Sequence, residues 1–149
     1  MLEIKRLGLE RVEEIKDFDV FSFPDDHWDD EAWNELLSDE RSIYYALLDD
    51  DKLVGNIFIY NWEGKKDHIK IMTMAVHPDY RKQGLASRLM KHTEEEMLKF
   101  GMKNFRGETR ASNKPMQATF ERSGYKLDTV EKDYYDNPTE DAYKYILLR

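Results

Sequence analysis

Ile69 to Met90, I-K-I-M-T-M-A-V-H-P-D-Y-R-K-Q-G-L-A-S-R-L-M, is the stretch on which the reading of this chain turns. It reads as a strand, a short basic loop with one glycine, and the start of a helix. In the strand, Ile69, Ile71, Thr73 and Ala75 are expected on one face and Met72, Met74 and Val76 on the other. A strand apolar on both sides belongs in the middle of a sheet. The start of the helix leaves backbone N–H groups unpaired, and the macrodipole adds partial positive charge, so it is a ready site for an anion such as phosphate. Arg81 and Lys82 bring two cations to that point in a chain of net charge −8. On residue type alone they could equally be solvated surface cations.

The whole chain narrows the function classes. Its 149 residues suit a single N-to-C domain that buries roughly 70% of its unfolded surface. A pI near 5.1 argues against duplex nucleic acid as a partner. No apolar run approaches the ~20 residues that span a bilayer, and M-L-E-I-K-R-L lacks the apolar core of a secretory signal, so a soluble cytoplasmic protein is expected. With no cysteine there is no disulfide framework and no thiolate nucleophile, and the four histidines show no metal-ligand spacing.

Outward from the central stretch, turn and cap signals order the elements. Leu2–Lys5 reads as a strand. Glu10–Asp17 reads as a short helix with Leu9, Val12 and Ile15 inward, and Phe18–His27 as an aromatic irregular loop. Asp29 or Asp30 caps a helix to about Leu37 with Trp33, Leu36 and Leu37 on its apolar face. Strands follow at Ile43–Leu48, Leu53–Trp62 and Asp67–Val76, with turns at Asp49–Asp51 and around Gly64. A long helix at Gly84–Phe100 carries Leu85, Leu89, Thr93, Met97 and Phe100 at helical spacing. Asn104–Thr109 is a strand, Pro115–Ser123 a helix, and Tyr125–Tyr135 with Ala142–Leu148 a closing hairpin. The order β-α-α-β-β-β-α-β-α-β-β is a mixed α/β sheet protein.

Arg81-x-x-Gly84-x-Ala86 resembles the acyl-coenzyme A loop of the GNAT superfamily of N-acyltransferases. Asn113 to Tyr125, N-K-P-M-Q-A-T-F-E-R-S-G-Y, is similar to that family's second signature, an Asn followed by an aromatic and then Gly-aromatic. The resemblance implies a mostly antiparallel sheet whose two central strands splay apart, with helices on both faces and acetyl-CoA in the gap. It implies that backbone amides of Lys82, Gln83, Gly84, Leu85, Ala86 and Ser87 wrap the diphosphate beside Arg81. The pantetheine arm would pair with Met74, Ala75 and Val76, where an N–H polarises the thioester carbonyl, and Asn113 would bond the arm. Glu108-Thr109-Arg110-Ala111-Ser112-Asn113 is similar to the Glu-x-Arg-x-x-Asn segment of bacterial ribosomal-protein alanine N-acetyltransferases, in which the glutamate is general base. Tyr134-Tyr135 resembles that group's closing hairpin, where tyrosines line the peptide groove. Phe21–Pro24 before His27-Trp28 resembles its first substrate loop.

The chemistry so implied is attack of a neutral amine on a thioester. An α-amino group has a pKa of about 8 against roughly 10.4 for lysine, so near pH 7 about a tenth of the former is neutral and far less of the latter. One carboxylate then suffices for an amino-terminal substrate, and Glu108 is the candidate base; an ion pair with Arg106 or Arg110, or plain solvation, is the alternative for it. Phe120 departs from the family, which usually has at this place in the cofactor site a tyrosine that protonates the leaving thiolate. Tyr134 and Tyr135 are candidates for that role. The acidic run Asp25, Asp26, Asp29, Asp30 and Glu31 could steer a cationic amine, or be a solvated helix start. Met72, Met74 and Met116 suit core packing. The expected activity is acetyl transfer to a primary amine, foremost a protein or peptide amino terminus. A small cationic amine and a non-catalytic acyl-CoA-binding module remain as alternatives, and a homodimer stays open.

Overall fold

The computed structural model describes residues Met1–Asn61 and His68–Arg149. Its elements are β1 (Leu2–Leu7), α1 (Val12–Ser22), α2 (Asp30–Ser38), β2 (Ser42–Asp49), β3 (Lys52–Asn61), β4 (Ile69–Val76), α3 (Leu85–Lys99), β5 (Asn104–Arg110), α4 (Lys114–Arg122), β6 (Lys126–Tyr135) and β7 (Glu140–Leu148). The expected turn around Gly64, the strand end at Trp62 and the strand start at Asp67 lie outside the described residues. The strands form one sheet in the order β1-β2-β3-β4-β5-β7-β6. Every neighbouring pair is antiparallel except β4 and β5. The expected mixed, mostly antiparallel α/β sheet with helices on both faces is the fold observed.

Each face of the sheet buries its own apolar cluster. On one, α3 and α4 set Leu85, Leu89, Met97 and Phe120 against Tyr45, Leu47, Ile57, Ile59, Ile69 and Phe105. On the other, α1 and α2 set Ile15, Phe18 and Trp33 against Tyr44, Ala46, Leu48 and Phe58. Trp33 is fully buried, and its indole donates to the buried Asp19 carboxylate at 2.9 Å. Asp29, of the two capping candidates, holds the start of α2 by accepting from the Ala32 amide at 2.8 Å.

Three local expectations are corrected. Phe18–Ser22 belong to α1 rather than to a loop. Phe18 is buried on the same stripe as Ile15, and the helix stops only at Phe23, the residue before Pro24, which proline pushes out of helical geometry. Leu9 sits in a 3₁₀ turn and is exposed, as is Phe100 just past the end of α3, so neither packs inward. The third correction concerns β4. Ile71 stands opposite Ile59 and Thr73 opposite Phe58, so Met72 is an extra residue, a β-bulge. The faces exchange there: Met74 and Val76 pack in the same cluster as Ile69 and Ile71, whereas Met72 and Ala75 pack in the other. Simple alternation through Thr73 and Ala75 does not hold.

The bulge falls where the sheet opens. Pairing between β4 and β5 spans Ile69–Ile71 with Phe105–Gly107. Past Ile71 the two strands part. Gly107, the last residue of β5 paired with β4, is close-packed: a Cβ there would lie 2.6 Å from the Phe120 ring.

Candidate active site

The fork between β4 and β5 opens into a cavity of about 830 Å³. Met74, Ala75 and Val76 line one side, Asn113, Met116 and Thr119 from α4 line another, and the turn into α3 closes one end. That turn is built for an anion. Gly84 caps α3 in the left-handed region, at φ +70°, and gives the helix no side-chain cap. The first amides of α3, on Leu85, Ala86 and Ser87, are therefore presented to the cavity without a side-chain acceptor. A Cβ on Gly84 would meet nothing within 4 Å, so the cradle is open where a diphosphate would approach. Lys82 is left-handed too, at φ +62°, and alternating backbone of this kind gathers N–H groups into a nest.

The β4 wall supplies a second set of backbone groups. The His77 amide donates to the Val54 carbonyl at 2.8 Å, and the Ala75 amide to the Asn56 side-chain oxygen at 2.9 Å, both toward β3. Alternation along an antiparallel ladder then turns the amides of Met74 and Val76 the other way, into the fork. Of the three residues expected to pair with the pantetheine, Ala75 has its amide engaged by protein. Asn56 is buried, and its amide nitrogen donates to the Tyr44 hydroxyl at 2.8 Å, which holds the side chain in register. Arg81 reaches back along the wall, its Nε 3.4 Å from the Val76 carbonyl.

A charged group stands on the opposite face of the fork. Glu108, on β5, is mostly covered, with 16% of its side chain exposed. Its Oε1 lies 3.2 Å from Lys70 Nζ, on β4. The Tyr134 phenol from β6 stands beside the same carboxylate, which raises it above its ordinary range, and partial burial adds to the shift. Lys144 of β7 sits 4.8 Å above the Tyr134 ring and pairs with Glu131 at 2.9 Å. The alternative of a pair with Arg106 or Arg110 is thus replaced by one with Lys70, because the parallel β4–β5 pairing sets Lys70 against Arg106, two residues before Glu108 and on the same face of β5.

Arg110 instead joins two distant segments. Its guanidinium meets both Asp26 oxygens at 3.0 Å, the carbonyls of Asp136 and Pro138 at 2.7 and 2.8 Å, and Glu140 at 3.4 Å. It lies 4.7 Å above the Tyr135 ring. Tyr135 is half-buried, and burial and then the Glu108 charge push its phenol well up.

Most of the residues read from sequence come together at this site. Met74, Ala75, Val76, Arg81, Lys82, Gly84, Leu85, Ala86, Ser87 and Asn113 line the cavity. Gln83 is exposed and outside the lining. Phe120 is corrected: it does not line the cavity but is buried at the fork's base, stacked on Tyr145 at 4.7 Å. Asn113 Oδ1 accepts from the Met116 amide at 3.2 Å, so its oxygen caps α4. Sequence reasoning placed Ser22 and Phe23 in a substrate loop, whereas they line this cavity, and it missed Tyr80 and Thr119 in the lining along with Asn56 and Lys70. No signal marked the last two, whose roles depend on cross-strand partners. Among the described residues no cluster of metal-ligating side chains occurs, and no helix is long and apolar enough to cross a membrane.

A nest of amides at a helix start, a splayed pair of strands and a carboxylate at their fork define a protein that holds a nucleotide-linked thioester beside an amine. Residues 9–125 match the family model described as Acetyltransferase (GNAT) family, and the chain belongs to that family. A Bacillus subtilis (strain 168) protein provisionally assigned as a ribosomal protein bS18-alanine N-acetyltransferase is 26% identical over 139 residues, 93% of this chain and 90% of that one. The crystal structure of the ribosomal-protein-S18-alanine N-acetyltransferase from Escherichia coli superposes with a TM-score of 0.89 at 25% identity, covering 99% of this chain and 94% of the other. Arabidopsis thaliana NAA60 in complex with acetyl-CoA shares the fold, with a TM-score of 0.88 at 14% identity over 99% and 98% of the two chains. The chain is an acetyl-CoA-dependent N-acetyltransferase acting on a primary amine.

Proposed function

We propose that the acceptor is the amino terminus of a protein or peptide and that Glu108 and Tyr134 carry the protons. When bound, acetyl-CoA supplies an acetyl thioester, an acyl group with a leaving sulfur. The open amides of Leu85, Ala86 and Ser87, with Arg81 and Lys82, would hold its diphosphate, and the Met74 and Val76 amides would take its arm. An amide of that wall suits the thioester oxygen, where developing negative charge is best met by preorganised donors. Glu108 accepts the proton that the amine nitrogen gives up as its new bond to carbon forms. Tyr134 gives its phenolic proton to the departing sulfur and regains one from Glu108. The circuit balances without an outside acid, and a phenol, whose ordinary pKa is about 10, carries its proton near neutral pH.

The observation that carries this reading is the placement of the Tyr134 phenol beside the mostly covered Glu108 carboxylate, whose negative charge raises the phenol above its ordinary range. It offers a proton donor in a chain with Phe120 at the family's usual tyrosine position. The fold shared with relatives named as ribosomal-protein alanine N-acetyltransferases supports the acceptor class. Tyr135, gripped under Arg110, serves as groove wall in this scheme. Glu108→Gln is expected to lower kcat by 10²–10³-fold, and Tyr134→Phe by about 10²-fold, within the usual worth of positioned proton transfer. Free-thiol release on a set of peptides with unblocked amino termini measures both. A wild-type rate for Glu108→Gln across the pH range would remove the base, and activity confined to polyamines would remove the peptide.

A further inference from the structure

Lys70 has no part in that scheme, yet it sits closest of any cation to the carboxylate. Its Nζ is 3.2 Å from Glu108 Oε1, and neither side chain is freely solvated, at 31% and 16% exposure. The groups facing Glu108 from the surrounding elements are Lys70 on β4, the Tyr134 hydroxyl on β6, Lys144 on β7 and the half-buried Tyr135 ring. Glu131 takes Lys144, and Arg110 takes Asp26 and Glu140. Glu108 is thus matched to a cation of its own, whereas Asp26 and Glu140 share the one charge of Arg110.

We propose that Lys70 is a specificity-determining residue that denies Glu108 to ammonium groups, so that the site admits the neutral amine and favours peptide amino termini over lysine side chains. An ammonium entering the fork gains little from a carboxylate already paired, and it meets the like charge of Lys70 at short range, where protein surroundings screen poorly. Only an acceptor that sheds its proton easily escapes that cost. An α-amine does so near neutral pH and a lysine ε-amine does not. Lys70 acts through Glu108 and is a positioning residue, and the inference rests on the reading of Glu108 as the base.

The test uses two peptides of matched sequence with acetyl-CoA: one lysine-free with an unblocked amino terminus, one blocked at the amino terminus and carrying a single lysine. Wild type is expected to prefer the first by more than 100-fold in kcat/KM. Lys70→Met is expected to shrink that preference at least tenfold, with KM for the lysine peptide falling, and Lys70→Arg to restore it. Calorimetry of the unblocked peptide at pH 7, in two buffers of different ionisation enthalpy, gives a readout apart from turnover. Wild type is expected to release close to one proton per peptide bound and Lys70→Met distinctly less. An unchanged preference, or equal proton release from both proteins, overturns the proposal. Loss of activity in Glu108→Gln together with either result leaves the base in place and removes only Lys70; full activity in Glu108→Gln removes the base itself.

Discussion

Gly84 shows how one residue can serve backbone and ligand together. Its φ of +70° is costly for any residue with a Cβ, by roughly 1–2 kcal/mol. The open space beside it lies on the cavity side of the α3 start. Gly84→Ala is therefore expected to raise the Kd for coenzyme A about tenfold or more and to lower stability by that strain, with calorimetric titration and urea unfolding as the two measurements. An affinity equal to wild type would mean that the diphosphate does not approach this turn. Gly84 and Arg81 were legible in sequence, since a left-handed cap and an adjacent cation are local features. Lys70 and Asn56 were not, because a lysine or asparagine in a strand acquires meaning only from its neighbour on the next strand. Phe120 was legible as a departure in residue type, but its burial over Gly107 was not.

At the level of elements, helix starts divide the labour. Asp29 caps α2 and Asn113 caps α4 through their own side chains, whereas α3 has no such cap and faces the cavity. The capped starts are structural. Asp29→Ala is expected to cost about 1 kcal/mol in urea unfolding while leaving coenzyme A affinity unchanged. A change in affinity would place the start of α2 in the donor site. The elements themselves were mostly visible in the spacing of apolar residues and in Gly and Pro punctuation. The exception was the C-terminal half of α1, whose aromatic run Phe18–Phe23 reads as a loop until Ile15 and Phe18 are seen sharing one buried face with Trp33.

For the molecule as a whole, charge pairs tie segments far apart in the chain, and they set the pH response. Arg110 joins Asp26 of the α1–α2 connection to the β6–β7 hairpin, so both lips of the acceptor face are held by one guanidinium. Glu14, Asp39, Asp49 and Glu140 are all held below the usual carboxylate range: Glu14 and Asp39 by arginines, Asp49 first by the Tyr80 hydroxyl, Glu140 first by Ser112. A carboxyl lowered in the folded state contributes fully above its unfolded value, about 4, and loses that contribution as pH falls through its folded value. Asp19 runs the other way: burial raises it, so its contribution shrinks as pH rises. Four groups oppose one, and Tm is expected to hold between pH 6 and 8 and to fall below about pH 4. A Tm that climbs on acidification to pH 4 would show that Asp19 dominates.

The order of elements, the anion-binding turn at Arg81–Ser87 and the carboxylate at Glu108 were determined by the sequence alone, because each depends on residues near one another in the chain. The opening of the sheet was decided only by tertiary structure. The extra residue at Met72 exchanges the faces of β4 where its pairing with β5 ends at Ile71–Gly107. No local pattern announces a bulge, since it is a mismatch in count between two strands. That mismatch turns the amides of Met74 and Val76 toward the gap, while the parallel β4–β5 pairing before it brings Lys70 to Glu108.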